Sequence, residues 1–166
     1  MAKNNENDKI VFSYTIDSIF DKASRTSAYN CKNISDKQGN NMMSEFVLTV
    51  DDKDMFMQGL DSVLTDIYEK ILKLTDRESG NALHIEENGE ITLTIKDNAA
   101  YNENVLAMVD GTLQDCIVNG SLWQWYKSCA HAELADLYAK TFVADLEKLF
   151  GRMFQLKIKR TTSMLG

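Results

Sequence analysis

The feature that most restricts this chain is a gap of four residues, Ser128–His131, between two long runs of helical periodicity. Before it, Tyr101, Val105, Met108, Val109, Leu113, Cys116, Ile117 and Trp123 recur at helical spacing. After it, from about Ala130 to Arg152, Leu134, Leu137, Tyr138, Thr141, Phe142, Leu146, Leu149 and Phe150 fall on one side. A connection that short leaves the two helices only one arrangement, an antiparallel hairpin. Gly111 and Gly120 interrupt the first helix, each at a cost of about 1 kcal/mol relative to Ala, which points to a kink or a close helix approach near them.

Upstream lies a third helix of the same kind. Phe56, Leu60, Val63, Leu64, Ile67, Ile71 and Leu74 form its stripe, with Asp61, Asp66, Glu69 and Lys70 off it. Thr49 and Asp52 make a capping-box pair at its start, and Asp51 and Asp54 add negative charge where the helix dipole favours it. That accounts for the acidic triplet, which lacks the glycine and ligand ladder of a calcium loop.

Strand patterning fills the rest. Ile10, Phe12, Tyr14 and Ile16 alternate with Val11, Ser13 and Thr15, and Asp17 is positioned to cap a short helix with Ile19, Phe20 and Ala23 inward. Phe46, Leu48 and Val50 alternate as a short strand. Leu83 and Ile85, then Ile91, Leu93 and Ile95, flank Glu87-Asn88-Gly89-Glu90; this predicts a hairpin with Asn88-Gly89 in a type I′ turn, Thr92, Thr94 and Lys96 on the wet face, and His84 toward solvent. The expected fold is therefore α+β and mainly α. It comprises a bundle of three main helices, the last two an antiparallel hairpin, with a β-hairpin and terminal strands. One domain spans 1–166, with a flexible arm at 1–8, a mobile loop at 31–43 and an extended C-terminal arm at 154–166, where Phe154, Leu156 and Ile158 alternate.

Composition excludes several classes of function. With 44% apolar and 26% charged residues the chain is globular, and 18 Lys plus Arg against 25 Asp plus Glu gives a net charge of -7, unsuited to general nucleic-acid binding. Three cysteines, Cys31, Cys116 and Cys129, form no C-x-x-C pair and no disulfide framework. The polar start, Met1 to Lys9, is unlike a signal peptide, and no apolar run is long enough to span a membrane. A cytoplasmic site of synthesis follows. There is no phosphate-binding, dinucleotide-binding, nucleophile-elbow or zinc-protease motif, so no catalytic residue, cofactor or metal is expected. An enzyme assembled from Asp97, Asp110, Asp115 and His131 is the weaker alternative.

Two groups of residues remain open. Trp125 lies about 200° from Trp123 around a helix, so if Trp123 continues the core stripe of Cys116, Trp125 points elsewhere. It then packs under the 31–43 loop or the hairpin, or it anchors a subunit interface. The basic end, with Lys148, Arg152, Lys157, Lys159 and Arg160, either completes a helix C-terminus or touches DNA or an acidic partner.

The order Asp115-Cys116-Ile117-Val118-Asn119-Gly120-Ser121-Leu122-Trp123-Gln124-Trp125-Tyr126, a short turn, Ala132-Glu133-Leu134-Ala135-Asp136-Leu137-Tyr138, and a helix ending Leu149-Phe150-Gly151-Arg152 resembles small neck proteins of tailed bacteriophages. The strand-then-helix segment from Phe46 to Phe56 is similar to them as well. The tail Lys157-Ile158-Lys159-Arg160 departs from that pattern in lacking prolines. The resemblance implies a structural virion protein of the head–tail junction, made in the bacterial host. Its copies would form a connector or adaptor ring, commonly dodecameric, that extends the portal DNA channel and docks tail or other neck proteins. DNA would pass close by without specific contact, and no membrane is involved. The interface residues expected on this basis are Asn88, Gly89, Trp125, Phe154, Leu156 and Ile158, with Lys157, Lys159 and Arg160 facing DNA or an acidic partner. A tail terminator or completion protein, or a small non-catalytic protein-binding module, are the alternatives.

Overall fold

A computed structural model of the chain describes residues 3–5, 9–72, 82–96 and 103–157. In chain order the elements are β1 (Lys3–Asn5), β2 (Lys9–Thr15), α1 (Ile16–Cys31), α2 (Met43–Phe46), a 3-10 turn (Val50–Asp52), α3 (Lys53–Leu72), β3 (Ala82–Ile85), β4 (Glu90–Lys96), α4 (Glu103–Ser128) and α5 (Ala132–Lys157). The architecture is α+β and mainly α, with α4 and α5 paired as the antiparallel hairpin that their short connection requires.

Helix α4 is the centre of the molecule. Val109, Leu113, Cys116, Ile117, Val118, Leu122 and Tyr126 are all buried, and they point in every direction around the axis. A helix apolar all round has to be enclosed, and α1, α3 and α5 enclose it. The close approach foreseen at Gly120 is real: a Cβ there would lie 2.5 Å from Val63 Cγ1 on α3 and 2.9 Å from Phe142 Cε2 on α5. Gly111 meets nothing within 4 Å and serves no such purpose. Midway along the hairpin a polar bond crosses it, Asn119 Nδ2 donating to the buried carboxylate of Asp145 at 2.7 Å.

The sheet is antiparallel and four-stranded, in the order β1-β2-β4-β3. Its register aligns Tyr14, Ile91 and Ile85 in one row and Phe12, Leu93 and Leu83 in the next, with Ile10 beside Ile95. The period-two pattern thus delivers one apolar face to the same core as the helices. Opposite it, Thr92 is nearly buried and donates to Glu86 at 3.0 Å, while half-exposed His84 pairs with Glu86 at 2.8 Å.

Several expectations change. Lys3–Asn5 is not a free arm: it adds an edge strand to β2 through main-chain pairing, which needs no apolar side chains. Helix α1 is a fourth long helix, not a short one, and its N-cap is Thr15, whose Oγ1 accepts from Ser18 N at 3.1 Å, not Asp17. The 31–43 stretch has a defined path. Cys31 ends α1, Ser35 bridges Asn41, and the Asp36 carboxylate accepts from the backbone N–H of Gln38 and of Asn40, both at 2.8 Å. The Asn40 side-chain amide, donating to Asp36 Oδ2 at 2.8 Å, does most to hold the Asp36 carboxyl below its ordinary range, and the backbone N–H bonds add to it. The strand expected around Phe46–Val50 is instead helix α2, a bend and a 3-10 turn, though the Thr49–Asp52 capping box is present. In the hairpin only Gly89 has positive φ, at +78°, and Gly89 N–H bonds Glu86 O at 2.9 Å. The turn is therefore a three-residue one with its left-handed position at glycine, not a type I′ pair. Helix α5 runs on to Lys157, so an extended arm does not begin at 154; Leu149, Met153 and Leu156 are its buried row. Leu74, Tyr101 and residues 158–166 lie outside the described residues.

Two glycine replacements on one helix separate packing from propensity. Gly120→Ala drives a methyl into Val63 and Phe142 and should cost about 1–3 kcal/mol. Gly111→Ala, with open space around it, should add about 0.5–1 kcal/mol. Urea denaturation of both variants checks the pair, with opposite signs expected.

Candidate interaction surface

At the α4–α5 bend, α4 ends in a Schellman turn. His131 N–H bonds Tyr126 O at 3.0 Å and Ala130 N–H bonds Lys127 O at 3.2 Å, with Ala130 itself at φ 58°. That position ordinarily holds glycine; an alanine there carries left-handed strain of about 1–2 kcal/mol. The turn sends the chain straight into α5, and it sets His131 against two rings, Phe46 at 4.6 Å and Tyr126 at 6.1 Å between centroids.

Beneath the bend a small polar network locks three elements together. The Tyr126 hydroxyl donates to Phe46 O at 2.6 Å, which pins the end of α2. The Cys31 thiol joins the same cluster, 3.4 Å from the Tyr126 oxygen and within 3.5 Å of Phe46 O, to which it can donate. Tyr126 stacks on Tyr138 with centroids 5.3 Å apart and planes 6° from parallel, and Asn30 Nδ2 donates to the Tyr138 hydroxyl at 2.8 Å. Burial pushes the pKa of Tyr126, Tyr138 and Cys31 upward, so all three are neutral. Next to it, Leu48 is clamped to α1: its N–H donates to Ser27 Oγ at 2.9 Å and its carbonyl accepts from Ser24 Oγ at 2.7 Å.

Outside this network lies a groove of about 550 Å³, walled by Asn30, Ile34, Phe46, His131, Leu134 and Leu137, with Glu133 at its rim. Leu137 is 47% exposed, although the sequence pattern sets it on the core stripe. Further along α5, Val143 and Phe154 are also uncovered, at 58% and 52%. They lie within about 20° of each other and about 120° from Leu137 around the axis. Helix α5 therefore carries two separate apolar exposures, one at the groove and one along another side.

The expected interface residues divide accordingly. Trp125 is 4% exposed and packs edge-on to Tyr126 at 4.6 Å, so it is core and no surface anchor. Its indole N–H and the buried Ser121 hydroxyl one turn earlier find no partner among the described residues. Trp123 is the half-exposed one, against Phe142 and under the Lys127 ammonium. Leu156 is likewise buried. Asn88 is exposed at the hairpin tip, but Gly89 O accepts from Ile16 N at 3.1 Å, so the tip is tied to α1. Phe154 remains available. Lys157 closes α5, while Ile158, Lys159 and Arg160 lie outside the described residues.

Asp110, Asp115 and His131, the described members of the alternative set, are not brought together. Asp110 accepts from the buried Tyr14 hydroxyl at 2.5 Å, and Asp115 pairs with Lys22 at 2.8 Å. His131 stands about 31 Å along α4 from Asp110, and Asp97 lies outside the described residues. Among the described residues no three His, Cys, Asp or Glu side chains gather as metal ligands, and no helix is long and apolar enough to cross a membrane.

Two substitutions probe the bend. Ala130→Gly should relieve the left-handed strain and stabilise by about 0.5–1 kcal/mol, whereas Tyr126→Phe should cost about 1–2 kcal/mol by leaving the Phe46 carbonyl only the weak Cys31 thiol donor. Thermal unfolding reads both, at about 2–4 °C per kcal/mol for a chain this long. In comparisons with known proteins, no family, curated protein or solved structure matches this chain.

Proposed function

We propose that this chain is a structural subunit of a tailed-phage neck, assembling as a connector or adaptor ring that extends the portal channel and docks the tail. The observation that carries the reading is the pair of apolar exposures on α5, Leu137 at the groove and Val143 with Phe154 elsewhere. A ring is built from heterologous contacts, one patch of each subunit on a different patch of the next, and so needs two unlike surfaces on a rigid body. Helix α5 is held rigid against α4 by Gly120 packing and by the Asn119–Asp145 bond, which suits a load-bearing wall. The resemblance of Asp115–Tyr126 and Ala132–Tyr138 to phage neck proteins supplies the biological setting. A net charge of -7 fits a channel through which DNA must slide without sticking.

The test is to collect particles from the source culture and find this chain in them. Mass spectrometry should detect it in purified particles at several copies per portal, and cryo-electron microscopy should place it as a ring between head and tail. Its consistent absence from particles, or a purified sample turning over a small metabolite, sinks the proposal.

A further inference from the structure

The groove at the α4–α5 bend is apolar within and acidic at its edge. Ile34, Phe46, Leu134 and Leu137 provide the apolar wall, and exposed Glu133 lines it. Glu133 forms no ion pair among the described residues. It has room for a few side chains, not for a folded domain.

The chain itself contains a segment of matching chemistry. Residues 158–166 read Ile158-Lys159-Arg160-Thr161-Thr162-Ser163-Met164-Leu165-Gly166: two cations, then polar spacers, then two large apolar side chains. Cations suit the acidic rim, and Met164 and Leu165 suit the apolar wall. Within one molecule the contact would take the whole segment doubled back and fully extended along α5: Leu137 lies about 30 Å behind Lys157 at 1.5 Å per residue, and Met164 and Leu165, seven and eight residues past Lys157, span at most about 25–29 Å. A neighbouring copy can supply the same residues without that extension.

We infer that the groove receives residues 158–166 of a second copy of this chain, head to tail. The contact joins one end of α5 in one subunit to the opposite end of α5 in the next. It is therefore heterologous and propagates from copy to copy until a ring closes. This inference rests on the assembly reading above and names the contact by which the copies would join.

Complementation between two full-length variants tests it. Leu137→Lys places a cation in the groove at an exposed position that the core does not use, and circular dichroism confirms that it folds. A second variant, Met164→Asp with Leu165→Asp, disables the tail. By sedimentation velocity, wild type should self-associate as its concentration rises to about 1 mM, and each variant alone should do so at least about tenfold more weakly. Mixed in equal amounts, the two should form one-to-one dimers and nothing larger, because one groove and one tail remain intact. A monomeric wild type over the whole range, variants that associate like wild type, or a mixture that stays monomeric would each overturn the docking. Detection of the chain in particles does not depend on this groove. A ring found there with the variants neutral would therefore reject the tail contact and leave the assembly reading standing.

Discussion

An α-helix with apolar side chains on every side cannot lie at a surface, and the enclosure of α4 is the constraint from which the other elements take their places. Three helices have to close on it at once, and side-chain volume sets how near they come. Gly120 removes that limit where α3 and α5 both arrive, with Val63 and Phe142 occupying the space its Cβ would take. Gly59 does the same for α3 at Gln124, where a Cβ would meet Gln124 Cβ at 2.7 Å. Several polar groups of α4 are then satisfied within the packing: Thr112 donates to Met108 O, Arg152 of α5 reaches both of those residues, and Asn119 bonds Asp145.

The same enclosure explains which parts of the fold were legible in the sequence. Helices α3 and α5 and strands β2, β3 and β4 announce themselves because each has a clean period, and α4 because its apolar residues at helical spacing run for more than twenty residues up to the short connection. Helix α1 looked short because its inward row, Ile19, Phe20, Ala23, Ser27 and Cys31, turns polar at Ser27, and a serine does not register as core. It is core because its hydroxyl accepts the Leu48 N–H, a bond between residues 21 apart that no local pattern displays. The tryptophans misled for a related reason. The angle between residues 123 and 125 is right, but pointing away from one stripe means pointing at solvent only for a helix with one covered side. With α1, α3 and α5 packed on different sides of α4, Trp125 turns from one neighbour toward another, and Trp123 comes to the partly open side. At the chain's basic end, Phe154 and Leu156 alternate as a strand would, yet Leu149, Met153 and Leu156 keep the four-then-three spacing of a helix. The longer pattern prevails because each further turn adds a backbone bond to a helix already formed.

The groove is not legible in the sequence. Leu134 and Leu137 fall on the core stripe, Phe46 in a strand pattern and Ile34 in the 31–43 loop. A stripe of eight residues is wider than one core contact. Tyr138, Phe142, Leu149 and Met153 fill the buried row, and Leu137 is left over at its margin. What makes the margin into a groove is the return of the 32–42 segment and α2 against the bend. That return is held by Tyr126 bonding Phe46 O and by Asp36 closing its own turn, both contacts between side chain and backbone. Sequence periodicity reports side-chain faces and carries no trace of such bonds.

The chemistry of the groove's foundation also says what the surface is suited to. Tyr126, Tyr138 and Cys31 all have their pKa raised by burial, so none ionises near neutral pH, and none lies where it could exchange a proton with a ligand. For an acid whose folded pKa lies above its unfolded one, the stability it supports is complete below the unfolded value, about 10 for a phenol, and declines only as pH rises beyond it. The wall beneath the groove therefore keeps its shape across the physiological range. Salt acts on the rim alone, where Glu133 is exposed to screening, while the apolar contribution of Leu134 and Leu137 is unaffected by Debye screening. A surface built this way presents one fixed form across that range, which is what the proposed joint between copies asks of it.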